Sequence, residues 1–232
     1  MIIINHFEQG TKEWHDHRRG KITGTKLDDV MGTQLARIQL IAELIAEEGT
    51  EQSNIINPTQ EMERGNAEED FAIKLFEQQT GKTVERVGAC QSDVYDWLML
   101  SPDGLIRDSK GLYSEAIEIK APKSQTAIFY RMVNMIPQDE LKLPKSKTNI
   151  LGIPQDYIWQ VVNYFLVNEN LKKLYFGVYD VRFIEDDKKL YIVEVERSNE
   201  ILQDMIKQAE EALKLFRSDW LKYRDIISPN NF

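Results

Sequence analysis

Apolar residues recur along this chain with two periods, and the order in which the periods alternate outlines a fold. From Leu35 the segment LARIQLIAELIAEEG places Leu35, Ile38, Ile41, Leu44 and Ile45 at helical spacing, with Gly49 as a stop. A second helix is expected from about Thr59 to Thr80, with Ala67, Phe71, Leu75 and Phe76 on its inward side and Gly81 beyond its end. From Lys82 the texture becomes β-branched and aromatic: KTVERVGACQSD and YDWLMLSPDGLI predict a hairpin entering the SPDG turn, and LYSEAIEIKAP predicts the next strand. TAIFYRMVNMI is helical in pattern, and PQDELKLPKSKTNILGIP, residues 137–154, is a long polar loop of the kind that is functional or mobile. QDYIWQVVNYFLVNEN predicts a helix with Ile158, Val161, Val162 and Phe165 inward. LKKLYFGVYDVRF and KKLYIVEVER predict two strands joined at an acidic EDD turn. The last helix takes Ser198 as its N-cap and a stripe of Ile201, Met205, Ala209, Leu213 and Phe216 as packing surface. The expected fold class is α/β, a central mixed sheet flanked by helices.

Composition narrows this little. With 42% hydrophobic residues among 232, the chain can bury a substantial core. No Gly/Ser- or Pro-rich linker interrupts it, so one domain over residues 1–232 is expected. No apolar run approaches the ~20 residues that cross a bilayer. The lone Cys90 excludes an internal disulfide and suits a reducing cytoplasm, the expected location. His15 and His17 read as flanking polar residues rather than metal ligands. A net charge of −9 argues against bulk attraction to phosphate polymers, yet leaves room for a locally cationic groove.

Candidate chemistry lies at SPDG and EIK. On a strand alternate residues share a face, so Ser114, Ala116, Glu118 and Lys120 point one way while Ile117 and Ile119 point toward covering helices. Pro102 pre-sets the preceding turn and Gly104 lets it bend sharply, so Asp103 can project toward Glu118. Two converging carboxylates, with the Ile119 carbonyl as a neutral ligand, make a hard oxygen site for Mg²⁺, with Mn²⁺ as a substitute. Lys120 beside it could orient a water and stabilise growing phosphorane charge. The plain alternative is a Glu118–Lys120 ion pair on a solvated strand. Upstream, RGNAEED offers Glu68 or Glu69 to complete the site. WHDHRRGKITGTKLDDV joins Arg18, Arg19 and Lys21 to Thr23 and Thr25, a set suited to phosphate oxygens or simply to capping a helix.

In their order WHDHRRGKITGT, RGNAEED, SPDG, EIKAP and YIWQVVNYFLV resemble the YqaJ-type viral recombinase family over about Trp14 to Val167. The resemblance implies a restriction-endonuclease-like core of the PD-(D/E)-x-K class. It also implies Mg²⁺-dependent 5′→3′ digestion of double-stranded DNA ends, giving 5′-mononucleotides and a 3′ overhang for a single-strand annealing protein. A homotrimer is the implied assembly. Residue by residue, it makes Asp103, Glu118 and Glu69 metal ligands, with Glu68 as fallback, and Lys120 the catalytic lysine. It places Gln160 of Y-x-x-Q near the reaction with Tyr157 as its neighbour, and puts Arg18 and Thr25 on phosphate. Two positions depart from the family's pattern: basic residues expected for the 5′-phosphate fall at Gln60 and Thr126, for which Lys123 or Arg131 could substitute. Lys142, Lys145 and Lys147 of the 137–154 loop could contact DNA or solvate an insertion. A RecB-like nuclease with another end preference and a noncatalytic DNA-end adaptor are the alternatives.

Overall fold

The computed structural model describes residues 1–5, 7–50, 60–144 and 147–227. In chain order the elements are β1 (Ile2–Ile4), α1 (Lys12–Arg18), α2 (Lys26–Met31), α3 (Gln34–Gly49), α4 (Gln60–Thr80), β2 (Ala89–Gln91), β3 (Met99–Leu100), β4 (Gly104–Arg107), β5 (Tyr113–Lys120) and α5 (Ser124–Met135). They continue as α6 (Gln138–Leu141), β6 (Asn149–Ile150), β7 (Ile153–Pro154), α7 (Gln155–Val167), β8 (Lys173–Tyr179), α8 (Asp186–Lys189), β9 (Leu190–Glu196) and α9 (Glu200–Ile226). The central sheet has the order β4-β5-β8-β9. Only β5 and β8 run parallel within it, and the chain between them supplies the crossover that parallel neighbours require. The sheet is therefore mixed and flanked by helices, as the periodicities predict.

Strand β5 is buried on both faces, and the two faces have different partners. Ile117 and Ile119 join Tyr175, Tyr179 and Leu190 against Ala72, Ile73 and Phe76 of α4. On the other face Ala116, Leu174, Phe176 and Val195 meet the apolar sides of α7 and α9, including Val161, Phe165, Leu213 and the fully buried Trp220. A smaller sheet, β1-β2-β3, contains the expected hairpin, joined by an N-terminal strand whose three residues are too short to show a period.

Several expectations shift. The inward side of α4 is Ala72, Ile73 and Phe76, while Phe71 is 60% exposed and Ala67 is also exposed. One residue of phase turns a helix by about 100°, enough to rotate those two side chains into solvent. In α3, Leu35 and Ile38 are exposed and burial falls on Leu40, Ile41 and Leu44. In α9, Ile201 is exposed while Leu202 and Ile206 join Met205, Ala209, Leu213 and Phe216 inside. Its cap is Asn199 rather than Ser198, because the Asn199 side chain accepts from the backbone N–H groups of Ile201 and Leu202. The 137–154 segment is not structureless: it holds α6 and a β6–β7 hairpin, turned by Leu151 and Gly152, both at positive φ.

Gly104 opens β4, but not at a positive φ. Its requirement is close approach: a Cβ there would stand 2.1 Å from Val84 Cγ1 and 3.0 Å from Ile117 Cγ2. Gly104→Ala is expected to destabilise the fold by about 1–3 kcal/mol, the usual cost of overpacking a tight core. Chemical denaturation would show it as a lower midpoint at unchanged slope, and an unaltered midpoint would refute this account.

Candidate active site

Strand β4 stops pairing with β5 at the Gly104–Ile117 register, leaving the end of β5 without a strand on that edge. Asp103, immediately before β4, fills the place. Its Oδ2 accepts the Ile119 N–H at 2.6 Å. In a strand the N–H and C=O of one residue face the same neighbour, so the Ile119 carbonyl also faces this edge. Glu118 and Lys120, one residue to either side, project together onto the α7 face.

Helix α7 meets them with Tyr157, Gln160 and Tyr164, three and four residues apart and hence on one side. Gln160 Nε2 donates to Glu118 Oε1 at 2.5 Å. The Tyr164 hydroxyl donates to Glu118 Oε2. Lys120 Nζ donates to Glu118 Oε1 at 2.5 Å and lies 5.1 Å from the centre of the Tyr157 ring. Glu118, only 2% exposed, is thus held by three side-chain donors. Burial, with Glu118 and Asp103 adding to it, pushes the Tyr164 hydroxyl up, so it remains protonated and can donate. Burial alone would lower the Lys120 ammonium, but Glu118 and Asp103 reverse this and raise it.

The third carboxylate comes around from α4. Glu69 is bound by Arg86 Nη1, which also donates to the Asp103 carbonyl at 2.6 Å, while Arg86 Nη2 holds Asp70 at 2.5 Å. One guanidinium therefore ties α4 to the SPDG turn. Burial raises Glu69, opposed by Arg86 and reinforced by Glu118. Asp103 is raised well above the usual carboxylate range by burial, then by Glu118 and Glu69. Glu68, the other candidate, pairs with Arg64, whose Nη2 reaches the Ala121 carbonyl at 2.8 Å.

The N-terminal segment closes a further side. Arg18 lies 4.1 Å from the Trp14 ring centre and donates to Ser101 Oγ at 2.7 Å, two residues before Asp103. Burial pushes its guanidinium down to about 10, so it stays charged near neutral pH. Thr25 is exposed, and its hydroxyl is 3.4 Å from that of buried Thr23. Between them Gly24 packs on Gln160, since a Cβ there would be 3.0 Å from Gln160 Cγ.

Not all the candidates gather here. Lys123 is exposed at the start of α5, four residues along from Ile119. Arg131 donates to the Lys188 carbonyl at 2.6 Å and stacks near Phe183 and Tyr191, away from the carboxylates. Thr126 lies on the first turn of α5. Lys145 and the side chain of Gln60 lie outside the described residues. His15 stacks edge-on against Trp14, and His17 packs beside Phe7.

Two participants were missed. Arg86 sits in a stretch without local pattern, and its partners are 16 and 17 residues away. Tyr164 had a signal, its position four residues after Gln160 on the same helix side.

Among the described residues, no three acidic, His or Cys side chains already converge as a metal-ligand cluster. The donor set nevertheless fits a divalent cation. Asp103 and Glu69 are both pushed toward the neutral acid, by burial first and then by Glu118, and hard oxygen ligands so placed suit Mg²⁺ or Mn²⁺.

A family description, the YqaJ-like viral recombinase domain, matches residues 13–170. Among solved structures the chain is similar to an alkaline exonuclease from Laribacter hongkongensis, with 25% identity, a TM-score of 0.72, and coverage of 94% of this chain and 96% of that one. A second structure of that enzyme, in complex with dAMP, aligns at 27% identity with the same TM-score and coverage. A phage-related exonuclease from Haemophilus somnus 129PT shares the fold at 15% identity and a TM-score of 0.59, over 88% of this chain and 96% of that one. No curated protein matches by sequence.

Removing the Tyr164 hydroxyl takes a donor from a buried carboxylate while leaving the ring in place. Tyr164→Phe is expected to lower stability by about 1–3 kcal/mol, the cost of stranding a buried polar group. Equilibrium unfolding in urea measures this, and a loss of less than about 0.5 kcal/mol would show that Glu118 does not depend on the hydroxyl.

Proposed function

Because the chain belongs to the YqaJ-like viral recombinase family, matched over residues 13–170, we propose that it is a metal-dependent exonuclease of double-stranded DNA ends. It runs 5′→3′, releases 5′-mononucleotides and leaves a 3′ overhang for a single-strand annealing protein in phage-type recombination. The observation that carries this reading is the meeting of Asp103, Glu118 and Lys120 at the open end of β5, with Asp103 fixed by the Ile119 N–H. The exonuclease relatives support the reaction class, and the dAMP complex of one of them matches the class of product.

Asp103, Glu118, Glu69 and the Ile119 carbonyl would hold Mg²⁺, one ion or two, and the metal supplies a polarised phosphoryl oxygen and a more acidic bound water. Lys120 is charged and fixed between Glu118 and the Tyr157 ring, so its ammonium can orient the attacking water and stabilise charge growing on the phosphoryl oxygens. Gln160 positions Glu118 and lies against the Thr23–Thr25 turn. Arg18, already partly desolvated, offers a strong charge-assisted donor to a phosphate, with the exposed Thr25 hydroxyl beside it. Lys123, exposed just past the catalytic strand, is a candidate for an end phosphate, and Arg131 donates to the Lys188 carbonyl. The homotrimer and a cytoplasmic location belong to the same proposal; no described helix is long and apolar enough to cross a membrane.

Lys120→Ala is expected to slow hydrolysis of 5′-phosphorylated linear duplex in Mg²⁺ by about 10²–10³-fold while DNA affinity changes little. A time course on end-labelled duplex, with EDTA as control, decides it: wild-type rates from this variant would refute the assignment. Nicking of closed circles, or equal attack on both end polarities, would favour a RecB-like nuclease.

Arg86→Ala should release Glu69 and the Asp103 turn together, raising the Mg²⁺ concentration needed for half-maximal rate by about tenfold, in the range of losses when a ligand's support is removed. Arg86→Lys should recover only part of this, because a single ammonium cannot span three acceptors. An unchanged Mg²⁺ dependence would limit Arg86 to packing.

A further inference from the structure

Beyond the carboxylates lies a cleft of about 920 Å³ between α5, Leu143 with Lys147, Thr148 and Asn149, and the start of α7. Phe129, Tyr130 and Phe183 line it, with the exposed apolar Met132. The start of α5 at Ser124 is four positions along the chain from Lys120, a span of no more than about 14 Å. An aromatic path joins the two places: Lys120 lies over Tyr157, and Tyr157 meets Tyr130 edge-on at 6.3 Å.

The polar rim is suited to phosphate. Lys147 lines the cleft, and so do the first turns of α5 and α7. The residues ahead of these helices, Lys123 and Pro154, have no side-chain acceptor with which to cap them. Both starts bring the positive end of a helix dipole to one cavity, and at α5 the buried Asp180 carboxylate already accepts from the Ser124 hydroxyl. Asp156 is a lining carboxylate and opposes them. Aromatic walls with a lysine at the rim match the chemistry by which single-stranded nucleic acid is held.

We propose that this cleft binds single-stranded DNA, with unpaired bases against Phe129, Tyr130 and Phe183 and the adjoining phosphates at Lys147 and the two helix starts. The inference rests on the nuclease reading for the source of its ligand: digestion of one strand leaves its complement unpaired beside the site. Bases within a duplex already have their faces covered by neighbours, so an aromatic wall selects for the unpaired strand.

The test uses fluorescence anisotropy in EDTA, where hydrolysis does not intervene, with labelled oligothymidine and an abasic oligomer of the same length and charge. The wild-type protein should prefer oligothymidine by about tenfold or more, the worth of a base–aromatic stack. Phe129→Leu and Phe183→Leu, which keep apolar bulk, should erase most of that preference with thermal unfolding unchanged. Lys147→Ala, an exposed position, should weaken both oligomers and reduce the salt slope by about 0.7. Absence of base preference in the wild type, or its persistence in both Leu variants, would overturn the proposal. So would variants that change the mass in solution while binding oligothymidine normally, since a second copy would then occupy the cleft. Duplex hydrolysis in Mg²⁺ is read separately. Hydrolysis without base preference sinks this inference alone, whereas base preference lost in the variants of a protein that never hydrolyses duplex sinks only the nuclease reading.

Discussion

Burial of negative charge at the open end of β5 is the constraint around which the neighbouring structure is arranged. Taking a carboxylate out of water is costly unless it is paired or hydrogen-bonded. Here Asp103 and Glu118 share one site with Glu69 close enough to raise Asp103 further. The surrounding donors answer that cost in detail: a backbone amide for Asp103, a lysine, an amide and a phenol for Glu118, and a guanidinium for Glu69. They reduce the penalty without abolishing it. A carboxyl group held above its ordinary pKa binds a proton more tightly folded than unfolded, so its contribution to stability falls as pH rises through the window between those values. A site that holds such groups near neutral pH is disposed toward a cation.

The same strand links that site to the core. Ile117 and Ile119 bury against α4, while Ala116 packs toward α7 and α9, and Glu118 and Lys120 leave the strand on the α7 side. Shifting β5 by one residue would exchange the faces, sending isoleucines toward Gln160 and the charged pair into Ala72 and Phe76. Apolar packing therefore fixes the register on which the carboxylate geometry depends. Arg86 and Arg18 extend this coupling to α4 and to the N-terminal segment through the backbone at Asp103 and the hydroxyl of Ser101.

How much of this was legible in the sequence depended on the range of each interaction. The alternation of YSEAIEIK is local, so the shared face of Glu118 and Lys120 could be read directly. The spacing of Tyr157 and Gln160 was readable for the same reason, and it extended to Tyr164 unnoticed. Phe76 was expected inward and is, but the phase around it could not be read, because Ala67 and Phe71 fit a helical stripe as well as Ala72 and Ile73 do; only the position of the sheet decides between them. Periodicity alone left Glu68 and Glu69 open, and only the family resemblance pointed to Glu69. With Ala72 and Phe76 inward, Glu68 goes to Arg64 and Glu69 to Arg86 beside Asp103. Arg86 itself gave no sign, since its partners are contributed by a helix end and a turn that meet only in the folded chain.

The charge of −9 takes on a different meaning once the cations are located. Arg64, Arg86 and Lys120, the positive groups nearest the carboxylates, are occupied with the protein's own acids. They cannot also provide a long-range field for a phosphate backbone. Attraction to DNA must then come from short-range donors such as Arg18, whose guanidinium lies against Trp14 and donates to a neutral serine. Such contacts act only after the substrate has entered the site, so on the proposed function affinity is generated at the strand end being processed, and little along the duplex behind it. An acidic nuclease of this construction gains selectivity for ends from the charges it has already neutralised.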